Sequence, residues 1–547
     1  MNSPTSGAPS LPPFGALVFY FLVITFLGIW PALTNGQPFF YPDTTAYVRG
    51  ADLAISKGLG DRFSTDWDKD PRRIIFPKSA TPASDQTAAA ERKSARRVVL
   101  AGRSIIYGAL LYLGAVIGGM WFSIIMQSLS AACLIFVFVV RTLGLDFRHF
   151  LISCAFLFTA SPLPFFASFL MPDVFAGFLI LAFAILATSW HRLSRVELVF
   201  LSAVLLFAVL AHFTHLLLLI SLTALTAGYV WVRADRSPLV TIRGLIALAS
   251  ACVVLAVLWE VTFSFAVNRA FGSPPIRPPF IMAKLVSLVG EPAVARVCVD
   301  HDFVVCRFQS RFPIDNDSFL WSEDERAGVF SVVDVPTKRL LCDEQLRFAL
   351  AIVPPNLGRI VSGELLDALR QLDHIGLSDY AYSPAELNFF RDRLPSRDFD
   401  WMLSTVAARS DAYETFGRTV LFVTGIAAAV ITTLLLLGVR SWRTAQGAIG
   451  LEQRRIWCAA TCLQLAGIIL NAMICGAFSA VHDRYESRVI WLIQLSAVTG
   501  IFVMSRTGGT PGWVLEVMSR LGGHKIGHTD NDVPELPVAK DVTSAVQ

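Results

Sequence analysis

Charged residues are scarce in this chain. They make up 16% of its 547 residues, whereas 54% are apolar, and the mean hydropathy is +0.57. Such a composition argues against a set of soluble domains and is typical of a membrane protein. The net charge of +4 implies no nucleic-acid partner. We therefore expect a protein that has membrane lipid as its solvent.

Long apolar segments with almost no charge recur along the sequence, and each is long enough to cross a hydrocarbon core about 30 Å thick as a helix. They predict an all-α polytopic membrane bundle of about ten transmembrane helices. Residues 102–120 are apolar but short and interrupted by glycine, so we interpret them as a re-entrant or interfacial element. A true span over 104–118 would make eleven. The predicted spans are 14–34, 120–140, 150–168, 173–190, 196–211, 214–232, 243–263, 417–439, 456–478 and 488–505.

Basic residues are nearly absent from one set of short loops, and this asymmetry predicts the orientation. The loops around 162–172, 211–215 and 479–487 hold a single basic residue, Arg484, and are placed outside the cytoplasm. The opposite loops are predicted to be cytoplasmic and contain Arg141, Arg148, Arg192, Arg195, Arg233, Arg236, Arg243, Arg440, Arg443, Arg454, Arg455 and Arg506.

This orientation predicts two transmembrane modules, 14–263 and 417–506, separated by an exterior insert, 264–416. The first module includes a first exterior loop, 35–103. A true span over 104–118 would instead place much of that loop inside, which fits the distribution of basic residues better. Long loops, however, cross membranes largely regardless of charge.

Cysteine is also sparse, and the nine cysteines show no spacing typical of a metal site. In "CVDHDFVVC", Cys298 and Cys306 would form a disulfide on an oxidising side if two strands of a hairpin bring them together. We expect the insert to be a small α+β or mostly helical domain. The N-terminal tail, 1–13, has no basic residue, so a cleavable signal peptide is not expected. The polar C-terminal tail, 507–547, is expected to be cytoplasmic.

Acidic residues are almost missing from the centres of the spans, but two Pro-Asp pairs lie at span ends. Asp43 follows the first span in "YPDTTAYVRGADLAISKG", and Asp173 begins a later one in "SFLMPDVFAGFLILAFAIL". Each fits a helix N-cap. A carboxylate at this boundary is costly unless it caps, pairs or reacts. Since both are predicted on one face, one is placed to deprotonate an acceptor hydroxyl while the other orients it or holds a cation.

The last exterior loop, "SAVHDRYESRVIW", holds the basic cluster. Arg484 and Arg488 are four residues apart on one helix face, which suits bidentate binding of a phosphate or pyrophosphate. The alternative is interfacial anchoring by arginine, tyrosine and tryptophan. Further candidates are His482 and Tyr485 in this loop, Arg103 and Tyr107 in "AGRSIIYGALL", Glu260, and His212 and His215 in "AHFTHLLLL", which also fit ordinary interface histidines.

These motifs resemble those of the GT-C membrane glycosyltransferases, a superfamily that includes protein O-mannosyltransferases and the lipid A aminoarabinose transferase. "PDTTAYVRGADLA", with Asp43, looks like their first exterior loop, and "SFLMPDVFAGFL", with Asp173, looks like their second Pro-Asp. "HDRYESRVIW" is similar to a late Arg-Tyr pair, and "GRSIIYGALL" to an Arg-x-x-x-Tyr element before the second span. The resemblance covers residues 14–263 and 417–505.

The resemblance implies sugar transfer at the periplasmic face of a bacterial inner membrane. The donor would be a polyprenyl-phosphate-linked sugar with Arg484, Arg488 and Arg103 on its phosphate. Asp43 would act as general base on the hydroxyl of a lipid, glycan or protein acceptor. Asp43 lacks the neighbouring acid of the metal-dependent relatives, so the sequence requires no cofactor, and a divalent cation stays open.

Two other classes stay open as well, a transporter or flippase and a non-catalytic envelope assembly protein. A transporter is expected to have ionisable residues near the bilayer midplane, broken helices or repeats. An assembly protein predicts that Asp43, Asp173 and Arg484 lie far apart, whereas an enzyme predicts that they converge.

Overall fold

The computed structural model describes residues 11–69, 99, 101–233, 239–441 and 448–506, and this part of the chain confirms the predicted all-α polytopic bundle. Within it no strand forms, apart from one isolated bridge between Phe39 and Phe169. Helices of eight residues or more are α1 (Phe14–Leu27), α2 (Pro42–Leu59), α3 (Ile105–Ile117), α4 (Trp121–Phe136), α5 (Phe147–Ala160), α6 (Val174–Ser189), α7 (Arg195–Ala211), α8 (Phe213–Arg233), α9 (Leu239–Phe271), α10 (Phe280–Val289), α11 (Glu291–Asp300), α12 (Val335–Asp373), α13 (Pro384–Arg391), α14 (Ala412–Ser441), α15 (Ala448–Phe478) and α16 (Asp483–Arg506). Shorter α-helices are Trp30–Asn35, Asp66–Lys69, Leu163–Ala167, Asn316–Trp321, Ser396–Met402 and Val406–Arg409.

Parts of the sequence predictions fall outside these residues. They are most of the N-terminal tail, the C-terminal tail, most of the second half of the loop 35–103, and the loop arginines Arg236 and Arg443.

Seven helices in the described part of the chain are long and apolar enough to cross a membrane, and they coincide with seven of the predicted spans. The other three predicted spans are helical but shorter, because α1 and α5 have 14 residues each and α7 has 17. The seven are Trp121–Thr142, Val174–Arg192, Phe213–Val232, Thr241–Phe271, Ala412–Leu436, Gly450–Phe478 and Asp483–Arg506.

Helices α6 and α16 form the centre of the bundle, because most of their residues are buried against other parts of the chain. They pack closely at Gly177, where a Cβ atom would lie 3.0 Å from the carbonyl oxygen of Arg488. We call the end of the bundle at which α6 and α16 begin the site end. No charged residue follows in α6 before Arg192, or in α16 between Arg488 and Arg506.

The opposite end of the bundle gathers arginines of the predicted cytoplasmic loops. Arg141 Nε donates to Glu197 at 2.6 Å, and Arg506 Nη1 donates to the carbonyl oxygen of Gly144 at 2.8 Å. The two ends therefore carry different sets of arginines, as the loop asymmetry predicts.

Both ends of α3 lie toward the site end, so this helix does not pass through the bundle. Ser104, at its start, donates to the carbonyl oxygen of Leu210 in the last turn of α7. The helix has 13 residues, about 20 Å, and α4 folds back along it, with Ser123 donating to Leu110.

The regular elements of the predicted insert 264–416 are all helices, and the insert contributes to two hydrophobic cores. Residues between 276 and 360 form a core of their own. Residues between 377 and 413 join the core of the bundle instead. Helix α9 continues to Phe271, which lies inside the range predicted for the insert.

The insert contains the predicted disulfide, but the predicted hairpin around it is wrong. Cys298 and Cys306 are bonded. Helix α11 ends at Asp300, and a 3₁₀ helix, Val304–Arg311, follows. The cysteines therefore meet across a turn between two helices. The hairpin prediction failed because apolar residues in so short a stretch fit a buried helix side as well as a strand.

Candidate functional site

The two Pro-Asp motifs lie side by side in the same register. FFYPD ends at Asp43 and FLMPD ends at Asp173, and a parallel bridge pairs their first residues, Phe39 and Phe169. Two backbone hydrogen bonds of 3.0 and 3.1 Å flank this bridge. The first motif enters its helix at Pro42, and the second enters its helix at Val174, directly after Asp173. The pairing thus brings both aspartates to the site end of the bundle.

Asp43 does not cap its helix. It lies in the first turn of α2, and the hydroxyl of Thr44 accepts the amide of Tyr41, the residue before the helix, at 3.0 Å. Asp43 Oδ1 accepts from Arg103 Nη2 at 2.6 Å. The two side chains are 21% and 19% exposed. Asp43 Oδ2 has no partner among the described residues, so this carboxylate is both oriented and accessible.

The sequence brings Arg103 to Asp43 through the contact between α2 and α3. Arg103 directly precedes α3, whose amides are capped by the hydroxyl of Ser104. One turn later, Gly108 packs against the carbonyl oxygen of Tyr47, and a side chain there would collide with it. Since Tyr47 is one turn after Asp43, this close approach places the two helix starts next to each other.

Asp173 is also paired, but inside the bundle. Its Oδ1 accepts from Arg488 Nη1 at 3.2 Å, and the side chains are 5% and 1% exposed. Arg488 Nη2 also donates to Asn471 at 2.9 Å and contacts Cys475. Asp173 makes no side-chain cap for α6. This pair therefore joins α6, α15 and α16.

Arg484 lies close to both pairs and lacks a carboxylate partner within the described chain. It is 6% exposed, and its guanidinium lies 4.0 Å from the centre of the Tyr41 ring. Nη2 donates to the hydroxyl of Tyr485 at 3.2 Å. The buried Nε and Nη1 atoms have no hydrogen-bond partner among the described residues. A buried, charged donor without an acceptor is costly unless a ligand supplies one.

Two further titratable residues, which the sequence analysis missed or set aside, face these arginines. Burial raises the pKa of Asp379, although Arg484 and His482 oppose this rise. Burial lowers the pKa of His212 well below its usual range, and Arg488 and two other arginines lower it further. Burial therefore opposes the charged form of both residues, and the arginines favour the charged form of Asp379 and oppose that of His212.

The remaining predicted residues lie in the interior, at the site or away from it. The hydroxyl of Tyr107 donates to Gln127 at 2.9 Å in the interior, and His215 is bound to the carbonyl oxygen of Ala208 at 2.9 Å. Tyr485 contacts Arg484 and accompanies it at the site. Glu260, in contrast, is exposed and pairs with Arg277.

The insert reaches the same site through a short stretch of chain, residues 317–323. Asp317 is 2.9 Å from the ring nitrogen Nε2 of His482. The Trp321 ring lies over Arg103, with 5.3 Å between the guanidinium carbon and the ring centre. Glu323 accepts from Arg393 at 2.8 Å. This stretch had no motif that would have identified it.

Taken together, the structure brings the two aspartates and three arginines to one end of the bundle. Across residues 11–506, as far as they are described, no group of three histidine, cysteine, aspartate or glutamate side chains is placed to hold a metal ion. The arrangement is able to bind an anion beside an accessible carboxylate. No family model, curated protein or solved structure matches this chain. Fold and site define an all-α multi-pass membrane protein with an arginine-rich site.

Proposed function

We propose that this protein is a membrane glycosyltransferase that moves a sugar from a polyprenyl-phosphate donor to an acceptor hydroxyl. The observation that carries the proposal is Arg484, a buried guanidinium with two unpartnered nitrogens, in the same cluster as the accessible carboxylate of Asp43. Arginine forms bidentate hydrogen bonds with phosphate. A phosphate group satisfies Arg484, and Asp43 is available to receive a proton.

In the proposed reaction, the acceptor oxygen attacks the anomeric carbon of the sugar, and the bond from that carbon to the phosphate oxygen breaks. The electron pair of that bond leaves with polyprenyl phosphate. The acceptor proton moves to Asp43 Oδ2, while Arg103 holds Oδ1. Arg484 balances the charge on the leaving phosphate. General-base help of this kind contributes about 10²- to 10⁴-fold in rate.

The contacts favour different roles for the other arginines. Arg488 donates to Asp173 and Asn471 and lies 1% exposed, so we assign it to hold Asp173 rather than the phosphate. Arg103 is partly exposed and lies at the edge of the site. It holds Asp43 and is also able to contact the donor. These assignments leave Arg484 as the principal phosphate ligand.

The distribution of charge supports chemistry at a membrane surface over transport. In the central helices α6 and α16, ionisable residues lie at or next to the first turns. No other ionisable residue follows until the far end of each helix. A transport path needs such groups near the midplane. With the basic loops retained in the cytoplasm, the site lies at the periplasmic face of an inner membrane.

The proposal is tested with purified protein in liposomes, a set of polyprenyl-phosphate sugars labelled in the sugar, and an envelope fraction as the acceptor pool. One donor is expected to lose label from the lipid phase and release an equal amount of polyprenyl phosphate. Movement of intact labelled donor across the bilayer without that release would instead identify a flippase. The absence of both would leave an assembly role and refute the proposal.

A further inference from the structure

The C-terminal half of α12 exposes a row of aliphatic side chains, which we call the α12 stripe. It consists of Leu357, Val361, Leu365 and Leu369, each 56 to 58% exposed. Their four-residue spacing puts them along one side of the helix. An adjacent side of the helix is buried through Ile360, Ala368 and Gln371. A row of four exposed aliphatic side chains is unusual at a water-exposed surface.

This half of α12 is fixed to the outer end of a membrane-spanning helix. Ala368 crosses α15 at Gly476, where a Cβ atom would lie 2.9 Å from the Ala368 amide nitrogen. Next to the crossing, Lys284 donates to Asp367 at 2.8 Å and to the carbonyl oxygen of Ser479 at 3.2 Å. At 1.5 Å per residue, Val361 lies about 10 Å along the helix from this crossing.

The surface next to the crossing is apolar on both helices. Over its last three turns, α15 exposes Ile469, Met473 and Phe478. In a helix that spans a bilayer, such side chains face lipid. Of the charged groups beside the stripe, Asp367 is bonded to Lys284 and Glu364 is partly buried. Arg359 and Arg370 are exposed and have long side chains that are able to reach the headgroups. Leu369 directly follows Ala368, so one end of the α12 stripe lies at the end of this spanning helix.

We propose that α12 from Leu357 to Leu369 lies in the headgroup and upper acyl region of the leaflet at the site end. Burial of its leucines and valine in lipid provides the driving force, as for other interfacial helices. The insert would then be held to the membrane by this contact as well as by α15. This proposal does not depend on sugar transfer.

The test places the photo-crosslinking amino acid p-benzoylphenylalanine at Val361 or Leu365 in the full-length protein, in liposomes that contain radiolabelled phosphatidylethanolamine. Both positions are exposed, so the substitution leaves the core intact. Phe422, exposed on the spanning helix α14, is the positive control. Asp343, exposed and charged near the start of α12, is the negative control.

Irradiation is expected to give labelled lipid adducts at Val361 and Leu365 in yields comparable with that at Phe422, and a clear loss of yield at Asp343. Yields at the two stripe positions that fall to the level of Asp343, while Phe422 still reacts, would overturn the proposal. An adduct of twice the protein mass at the stripe would also overturn it, because the stripe would then face a second copy of the chain.

Discussion

Asp43 and Asp173 end the same kind of motif and bind an arginine each, but they differ in exposure. The Asp43–Arg103 side chains are 21% and 19% exposed, whereas those of Asp173 and Arg488 are 5% and 1% exposed. A sequence motif therefore does not settle its own role in this bundle. Burial decides whether the carboxylate is accessible to a substrate or joins helices.

The partners of the two arginines also differ in kind, because those of Arg488 connect the bundle helices and those of Arg103 include a ring of the insert. Arg488 has hydrogen bonds to Asp173 and Asn471 from two of its nitrogens. Arg103 has Asp43, its neighbouring carbonyl group and the Trp321 ring. The pair of Asp173 and Arg488, which we call the inner pair, thus connects helices. The pair of Asp43 and Arg103, the outer pair, is the part of the site that is able to rearrange around a substrate.

The largest expected effect is on activity, at the outer pair. Asp43→Asn removes the proton acceptor, so transfer in the liposome assay is expected to fall about 10²- to 10⁴-fold. Thermal stability is expected to change little, since exposed ion pairs contribute about 0–1 kcal/mol. Asp61→Asn, an exposed aspartate just beyond the far end of α2, is the matched control and should keep full activity. Full activity of the Asp43 variant would remove Asp43 from the reaction.

The inner pair is expected to respond in stability. Asp173→Asn leaves Arg488 charged and buried without its carboxylate, and breaking buried pairs in this way costs about 3–5 kcal/mol. Thermal unfolding in detergent should therefore show a large drop in the midpoint, unlike that of Asp43→Asn. Equal midpoints for the two variants would remove the distinction between the pairs.

A smaller effect is expected where the insert meets the outer pair. Trp321→Ala removes a cation–π contact to Arg103, worth about 0.5–1 kcal/mol, so transfer is expected to fall about two- to fivefold. Trp401, a tryptophan of similar exposure in another helix of the insert, is the control. Equal activities of the two alanine variants would show that the insert does not act on Arg103.

A further effect concerns the pH dependence of stability, at the joint between the insert and α15. Burial raises the pKa of Glu364 from 4.5 to about 7, with Lys284 opposing and Asp367 adding to the rise. The folded protein therefore binds more protons than the unfolded chain between these values, and the free energy of unfolding falls as pH rises through this range. Glu364→Gln should remove this part of the pH dependence in melting curves from pH 5 to pH 8. An unchanged difference between variant and wild type over that range would contradict the assignment.

Much of the fold follows from local features of the sequence. Long uncharged segments such as 174–190 have only one stable form in lipid, the helix. The hairpin predicted around Cys298 was wrong, because apolar residues in so short a stretch fit a buried helix side as well as a strand. The contribution of residues 317–323 was not predictable, because it depends on contacts between parts of the chain far apart in sequence.

The candidate site was predictable in its residues but not in its pairings. The sequence shows proline-flanked aspartates at positions 43 and 173 and an Arg-Tyr pair that begins at position 484. The choice of Arg103 for Asp43 and of Arg488 for Asp173 follows from two glycine contacts between helices, at Gly108 and Gly177. Those contacts are tertiary, so spacing along the chain does not show them.

The central claim is that Arg484 binds the phosphate of the donor. The direct measurement is the affinity of citronellyl phosphate, a short polyprenyl phosphate, for the wild-type protein and for Arg484→Met in lipid nanodiscs. Loss of hydrogen bonds to a charged group is expected to weaken binding at least about tenfold. Melting curves of both proteins check that the variant is folded, because Arg484 also donates to Tyr485 and lies over the Tyr41 ring. Arg62→Met, an exposed arginine, is the control. Equal affinity of wild type and Arg484→Met would contradict the account.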